Sequence, residues 1–147
     1  MKKEIEQFYS LFENSPNSVM YHINNGCDDI KNIVGDLIVS FEAKLDYQEL
    51  NDLAQKKFRL TNRNYEYVIV TDCLNSVENI DRFISTLYHS LENSAFIIVL
   101  SKKENNDTSF IIELLDKANF RAINDIDIFE NYNLIMGKKL HMWGAGQ

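Results

Sequence analysis

Two stretches decide the fold: Tyr65-Glu66-Tyr67-Val68-Ile69-Val70-Thr71-Asp72 and Ala95-Phe96-Ile97-Ile98-Val99-Leu100. Each is a nearly continuous apolar run of strand length, the pattern of a strand buried on both faces. Between them Asn75 and Glu78 stand at capping-box spacing, ahead of Ile80, Phe83, Ile84, Leu87, Tyr88 and Leu91 at helical spacing. A strand, a helix and a second buried strand make a parallel pair, because a crossover helix is what returns the chain to the same edge.

Downstream, a loop from Lys102 to Asp107 leads to a helix striped by Phe110, Ile111, Leu114, Leu115 and Ala118, with Asn119 as a C-cap able to take a left-handed backbone. Two extended stretches follow, Phe120 to Phe129 and Leu134 to Trp143. Glu130-Asn131-Tyr132-Asn133 joins them, a connection short enough for an antiparallel hairpin. Upstream, Ile5, Phe8, Tyr9 and Phe12 mark an amphipathic helix over residues 1–14, ended by Asn14-Ser15-Pro16-Asn17. Ser18 to Ile23 is extended and breaks at Asn24-Asn25-Gly26, and Asp28-Asp29 open a short helix carrying Ile30, Ile33 and Val34. The apolar run Asp36-Leu37-Ile38-Val39-Ser40-Phe41-Glu42 predicts a second buried strand. Asp46 and Glu49, again at capping-box spacing, predict a helix from Tyr47 to Lys57, and Phe58-Arg59-Leu60 a stub of strand.

The chain has 147 residues, a length that suits one domain, and its 45% hydrophobic and 25% charged residues exclude collagen-like and disordered classes. Fifteen Lys and Arg against 22 Asp and Glu give a net charge of −7, which disfavours nucleic acid and anionic membranes as partners. Cys27 and Cys73 lack both zinc-site spacing and the density of a disulfide scaffold. With no signal-peptide pattern or long apolar run at the N-terminus, these features predict a reduced, soluble, cytoplasmic protein. His22, His89 and His141 form no metal-ligand spacing. Lys138, Lys139 and Trp143, in an otherwise acidic chain, offer a contact for an acidic partner or a second copy, or else belong to a half-buried strand with solvated lysines.

The expected architecture is therefore α/β in three layers: a mostly parallel twisted sheet led by Leu37 to Phe41, Tyr67 to Thr71 and Phe96 to Leu100, helices on both faces, and a terminal antiparallel hairpin over 120–143. A parallel series closed by a helix, a strand and an antiparallel return strand resembles the element order of the class I S-adenosylmethionine-dependent methyltransferases, which are Rossmann-like. Three phrases carry the resemblance locally. Tyr65 to Leu74 is similar to the family's fourth strand and exit loop, Leu91 to Val99 to the entry into its fifth strand, and Leu114 to Phe120 to the following helix end. A flavodoxin-like or receiver-like sheet is the alternative architecture, and the closing hairpin argues against it.

The resemblance implies a cofactor site at the carboxyl edge of the sheet. In the family the first strand ends in an acid and a glycine-rich turn; here the stretch is His22-Ile23-Asn24-Asn25-Gly26-Cys27-Asp28-Asp29. Gly26 matches one family glycine, Asn24 stands for the acid, and Asp28 replaces a second glycine, where its side chain and charge would hinder a cofactor carboxylate. Read without the family, Asn24-Asn25-Gly26 is a turn and Asp28-Asp29 a helix cap. The family's ribose-binding acid falls on Glu42, which is otherwise a solvated strand exit. Asp72, at the end of the clearest strand, would face the acceptor as a binding group or general base, or else act as a turn residue. Thr61-Asn62-Arg63-Asn64 would contact adenine.

Two functions stay open: a small methyltransferase acting on a small molecule, with Asn24, Gly26 and Glu42 around S-adenosylmethionine and Asp72 near the acceptor; or a methyltransferase-like interaction module that has lost the cofactor and uses its first helix or terminal hairpin as the contact surface.

Overall fold

The computed structural model describes residues 2–12, 17–50 and 65–140. In chain order the elements are α1 (Lys2–Ser10), β1 (Val19–Asn24), α2 (Asp28–Ser40), β2 (Lys44–Glu49), β3 (Tyr65–Thr71), α3 (Ile80–Ser90), β4 (Leu91–Lys102), α4 (Thr108–Lys117), β5 (Arg121–Asp125) and β6 (Tyr132–Lys138). The six strands form one sheet in the order β2-β1-β3-β4-β6-β5. Pairings β1·β2, β1·β3 and β3·β4 are parallel, whereas β6 runs antiparallel to both β4 and β5. The chain order reverses at β1, which has β2 on one side and β3 on the other.

Apolar side chains alternate between two cores. Val68, Val70, Ile97, Val99 and Ile135 point to the face covered by α3 and α4, through Phe83, Ile84, Leu87, Ile111, Leu114 and Leu115. Met20, Tyr67, Ile69, Ile98, Leu100 and Leu134 point to the other face, covered by Phe8 of α1, by Phe12, and by Ile30, Val34 and Leu37 of α2. Three layers, a mostly parallel sheet and a closing antiparallel hairpin are thus present as expected. Val68, Val70, Ile97 and Val99 are all fully buried, and Asn119 takes the left-handed backbone at φ 77°.

The strand expected over Asp36 to Glu42 is instead the second half of α2. An apolar run of this length satisfies a buried strand or a helix equally, and the helical spacing begun at Ile30 continues through Val34 and Leu37, which are buried while Val39 points to solvent, 78% exposed. Gly35 lies inside the helix, on a side where a Cβ would meet nothing within 4 Å. The end comes at Phe41 and Glu42. Glu42 N–H donates to the Val39 carbonyl at 3.3 Å and Ala43 N–H to the Ile38 carbonyl at 3.0 Å, the paired bonds of a Schellman cap with Glu42 at the left-handed position, φ 52°.

Glu42 is therefore the reversal at a helix end and not the exit of a strand. The second strand is β2, where a helix starting at Tyr47 was expected. Leu45 and Tyr47 alternate with Lys44, Asp46 and Gln48 along a half-buried edge strand, a pattern that the capping-box spacing of Asp46 and Glu49 obscures. The expected helix beyond Leu50, the stub at Phe58 to Leu60, the loop Thr61 to Asn64 and the last part of the hairpin strand from His141 lie outside the described residues.

Two substitutions test this fold, and the second separates it from the expected one. Val70→Asp should abolish soluble folding, because it buries an unpaired carboxylate in the centre of β3. Val39→Asp should leave stability within about 0.5 kcal/mol of the parent, as surface changes usually do. Urea denaturation measures both, and a large loss from Val39→Asp would restore the buried strand at 36–42.

Candidate functional site

The parallel registers align one row of residues at the carboxyl edge of the sheet: Glu49 beside Asn24, Asn24 beside Thr71, and Thr71 beside Leu100. In open parallel sheets ligands sit outside this edge, where the strand order reverses. Here that place lies over the ends of β1, β2 and β3, and the turn from β1 into α2 crosses it.

Asn24 builds that turn. Its side chain is fully buried; Oδ1 accepts from Cys27 N–H at 3.2 Å, and Nδ2 donates to the Cys27 carbonyl and to the Tyr47 hydroxyl, both at 3.1 Å. A carboxylate could accept the first bond but could not donate the other two, which is a reason for an amide at this position. Gly26 has φ 74°, and a Cβ there would meet nothing within 4 Å, so glycine serves the left-handed turn and leaves its outer side open.

On one flank Gly26 N–H donates to Glu49 Oε2 at 3.3 Å. Glu49 also accepts from the Tyr47 hydroxyl, and burial together with this carboxylate pushes the Tyr47 phenol up to about 12. On the other flank Asn25 N–H donates to the Thr71 carbonyl at 3.0 Å. Its Nδ2 donates to the Asp72 carbonyl at 2.9 Å and to Ser76 Oγ at 3.3 Å. The turn leads into α2, whose first-turn residues Asp28 and Asp29 are both exposed. Tyr132 of β6 donates its hydroxyl to Asp29 Oδ1 at 3.0 Å and so holds the start of the helix.

Asp72 follows β3 with φ 55°. Its N–H donates to the Leu100 carbonyl at 2.6 Å, and its Oδ1 accepts from Lys102 N–H at 3.2 Å and from Asn105 Nδ2 at 3.0 Å. These bonds fasten the loop after β4 to the end of β3. Asn75 and Asn106 extend the network, through Asn75 Nδ2 to the Asn105 carbonyl at 3.2 Å and Asn106 Nδ2 to Asn75 Oδ1 at 3.0 Å. The thiol of Cys73 is fully buried and faces the carbonyls of Thr71 and Ile23, and burial pushes the pKa of both the Cys73 and the Cys27 thiol up. A raised pKa disfavours the thiolate form that a nucleophile needs.

Of the residues singled out from sequence, Asn24, Gly26 and Asp72 meet at this edge. Glu42 lies apart, in the reversal that precedes the amino end of β2. Glu49, at the opposite end of that strand, occupies the position assigned to Glu42, and Asn25 bridges the turn to β3. The signal for Glu49 was its place at the end of the alternating run Leu45, Tyr47, Glu49, which shares a face with Met20, His22 and Asn24 by register. Asn25 had none, because its role depends on the separation between two loops. Among the described residues no group of His, Cys, Asp and Glu is arranged to hold a metal ion, and no helix is long and apolar enough to cross a membrane.

Solved structures match this architecture closely. A SAM-dependent methyltransferase from Aquifex aeolicus superposes with a TM-score of 0.70 at 8% identity, over 92% of this chain and 89% of that one. Phosphoethanolamine N-methyltransferase 2 of Haemonchus contortus, solved with S-adenosyl-L-methionine, gives 0.66 at 13% identity over 92% of this chain and 52% of that one. Human N-acetylserotonin methyltransferase in complex with SAM gives 0.66 at 12% identity, over 94% and 52%. The chain has the class I methyltransferase fold. It spans about half the length of the Haemonchus and human enzymes. No family model matches the sequence, and neither does any curated protein.

Beneath the turn lies His22, fully buried. Its Nε2 is 2.8 Å from Thr71 Oγ1, and its Nδ1 has no partner among the described residues. Burial pushes the imidazole down to about 3. Above pH 6.5 it is neutral whether the chain is folded or not. Below pH 6.5 the unfolded chain takes up a proton that the folded one refuses, so folding stability falls by about 1.4 kcal/mol per pH unit on this account until the pH approaches 3. Urea denaturation between pH 7 and pH 4.5 should show a shallower loss for His22→Gln than for the parent; equal slopes would contradict a neutral buried imidazole. Glu42→Gly should stabilise by about 1 kcal/mol, because it relieves a left-handed non-glycine residue.

Proposed function

We propose that the chain binds S-adenosylmethionine across the carboxyl ends of β1, β2 and β3 and acts as a small methyltransferase on a small-molecule acceptor. The observation that carries this reading is the placement of Glu49 beside the Gly26 turn where the strand order reverses, inside a fold that in several neighbours is solved with S-adenosylmethionine or S-adenosylhomocysteine. The chemistry fits: a carboxylate at the end of β2 accepts hydrogen bonds from a ribose diol, and the open side of Gly26 admits close approach to backbone.

In this role Asn24 shapes the turn and Gly26 lines it. S-adenosylmethionine, when bound, supplies a methyl group on a sulfonium, and transfer requires chiefly that an acceptor be aligned with that carbon. Asp72 borders the acceptor side. With its Oδ1 already receiving Lys102 N–H and Asn105 Nδ2, it serves better to hold the loop after β4 than to remove a proton. Asp28, exposed in the first turn of α2, opposes a ligand carboxylate and keeps affinity moderate.

A second reading, a methyltransferase-like interaction module without cofactor, is favoured by the bonds from Asn25 that tie the turn to β3. Thermal melting with saturating S-adenosylhomocysteine separates the two, since a ligand held by the native state raises the midpoint. The enzyme reading expects a rise in the parent, retained in Glu42→Gly. Calorimetric titration should show at least a tenfold loss of affinity in Glu49→Gln, the scale of one hydrogen bond to a charged group. No rise in the parent would favour the module.

A further inference from the structure

The turn that would contact the cofactor is fastened to the protein on both sides. Toward β2, Gly26 N–H is spent on Glu49 Oε2. Toward β3, Asn25 spans the place where the strand order reverses: its N–H reaches the Thr71 carbonyl at 3.0 Å, and its side-chain amide reaches the Asp72 carbonyl at 2.9 Å and Ser76 Oγ at 3.3 Å. In the cofactor reading above, a ligand lying across the ends of β1 and β3 would meet that amide.

We propose that Asn25 is an affinity-determining latch over the S-adenosyl site, whose side chain leaves the Asp72 carbonyl and Ser76 when ligand enters; this rests on the cofactor reading above. Three features support it. Asn25 is half-buried and Ser76 exposed, so the freed amide and hydroxyl pass to water at small cost. The backbone bond from Asn25 N–H to Thr71 does not involve the side chain, so the turn stays anchored when the amide swings away. Gly26 beside it carries no side chain and stands in open space, so it does not crowd the turning amide. The closed arrangement lowers apparent affinity by the fraction of molecules that are open, and a change that removes the latch raises it.

Calorimetric titration of S-adenosylhomocysteine into the parent, Asn25→Ala and Ser76→Ala tests this, with amide hydrogen exchange across residues 24–28 as a second readout. The expected result is about five- to tenfold tighter binding by Asn25→Ala, about twofold by Ser76→Ala, and faster exchange at Gly26 and Cys27 in both ligand-free variants. Ser76→Ala keeps the turn's own residues intact, so it stays informative if Asn25→Ala folds poorly. A parent that binds, with variants that bind equally or more weakly, would overturn the latch and leave the cofactor reading standing. Absence of binding in all three proteins would overturn both.

Discussion

The buried side-chain amide of Asn24 closes the turn that the rest of the site hangs from. With one acceptor and two donors engaged, it ties Cys27 back to the end of β1 and reaches across to Tyr47 of β2. That closure sets where α2 starts, holds Gly26 in its left-handed conformation facing Glu49, and leaves Asn25 facing β3. Buried polar groups are costly when unpaired. Every polar atom of this side chain is paired, so the turn has one geometry at the junction of three strands.

The sheet gives that junction its place. Parallel pairing fixes Asn24 between Glu49 and Thr71, and the two cores hold the register, because slipping a strand by one residue would exchange its faces. Tyr132, which reaches Asp29 from β6, links the antiparallel end of the sheet to the start of α2. The Asp72 network ties the loops after β3 and β4 to each other. The edge is thus assembled from every strand except β5, although its central row comes from β1, β2 and β3.

The central strands were legible because Val68 to Val70 and Ile97 to Val99 are continuous apolar runs; the terminal hairpin was legible as a pair of strands, but its connection runs over 126–131 and not 130–133, so that β5 ends at Asp125 and β6 starts at Tyr132. The region from Ile30 to Glu49 was not. Leu37 to Phe41 reads as a strand by apolarity alone, and only the continuing helical spacing from Ile30 and the solvent-facing Val39 show the helix. That difference moves the end of the second strand from the Schellman residue Glu42 to Glu49. Asn24, Gly26 and Asp72 lie at the carboxyl edge as expected because they stand next to strands read correctly. The hydrogen bonds that occupy Asp72 were not readable, since Asn105 meets it only through the packing of two loops.

A crystal structure grown with S-adenosylhomocysteine decides whether the ends of β1, β2 and β3 hold the ligand. The expected result is ribose hydroxyls within hydrogen-bond distance of the Glu49 carboxylate, backbone contact at Gly26, and the Asn25 amide moved off the Asp72 carbonyl. A ligand held at Glu42, or anywhere away from the ends of β1, β2 and β3, would contradict it.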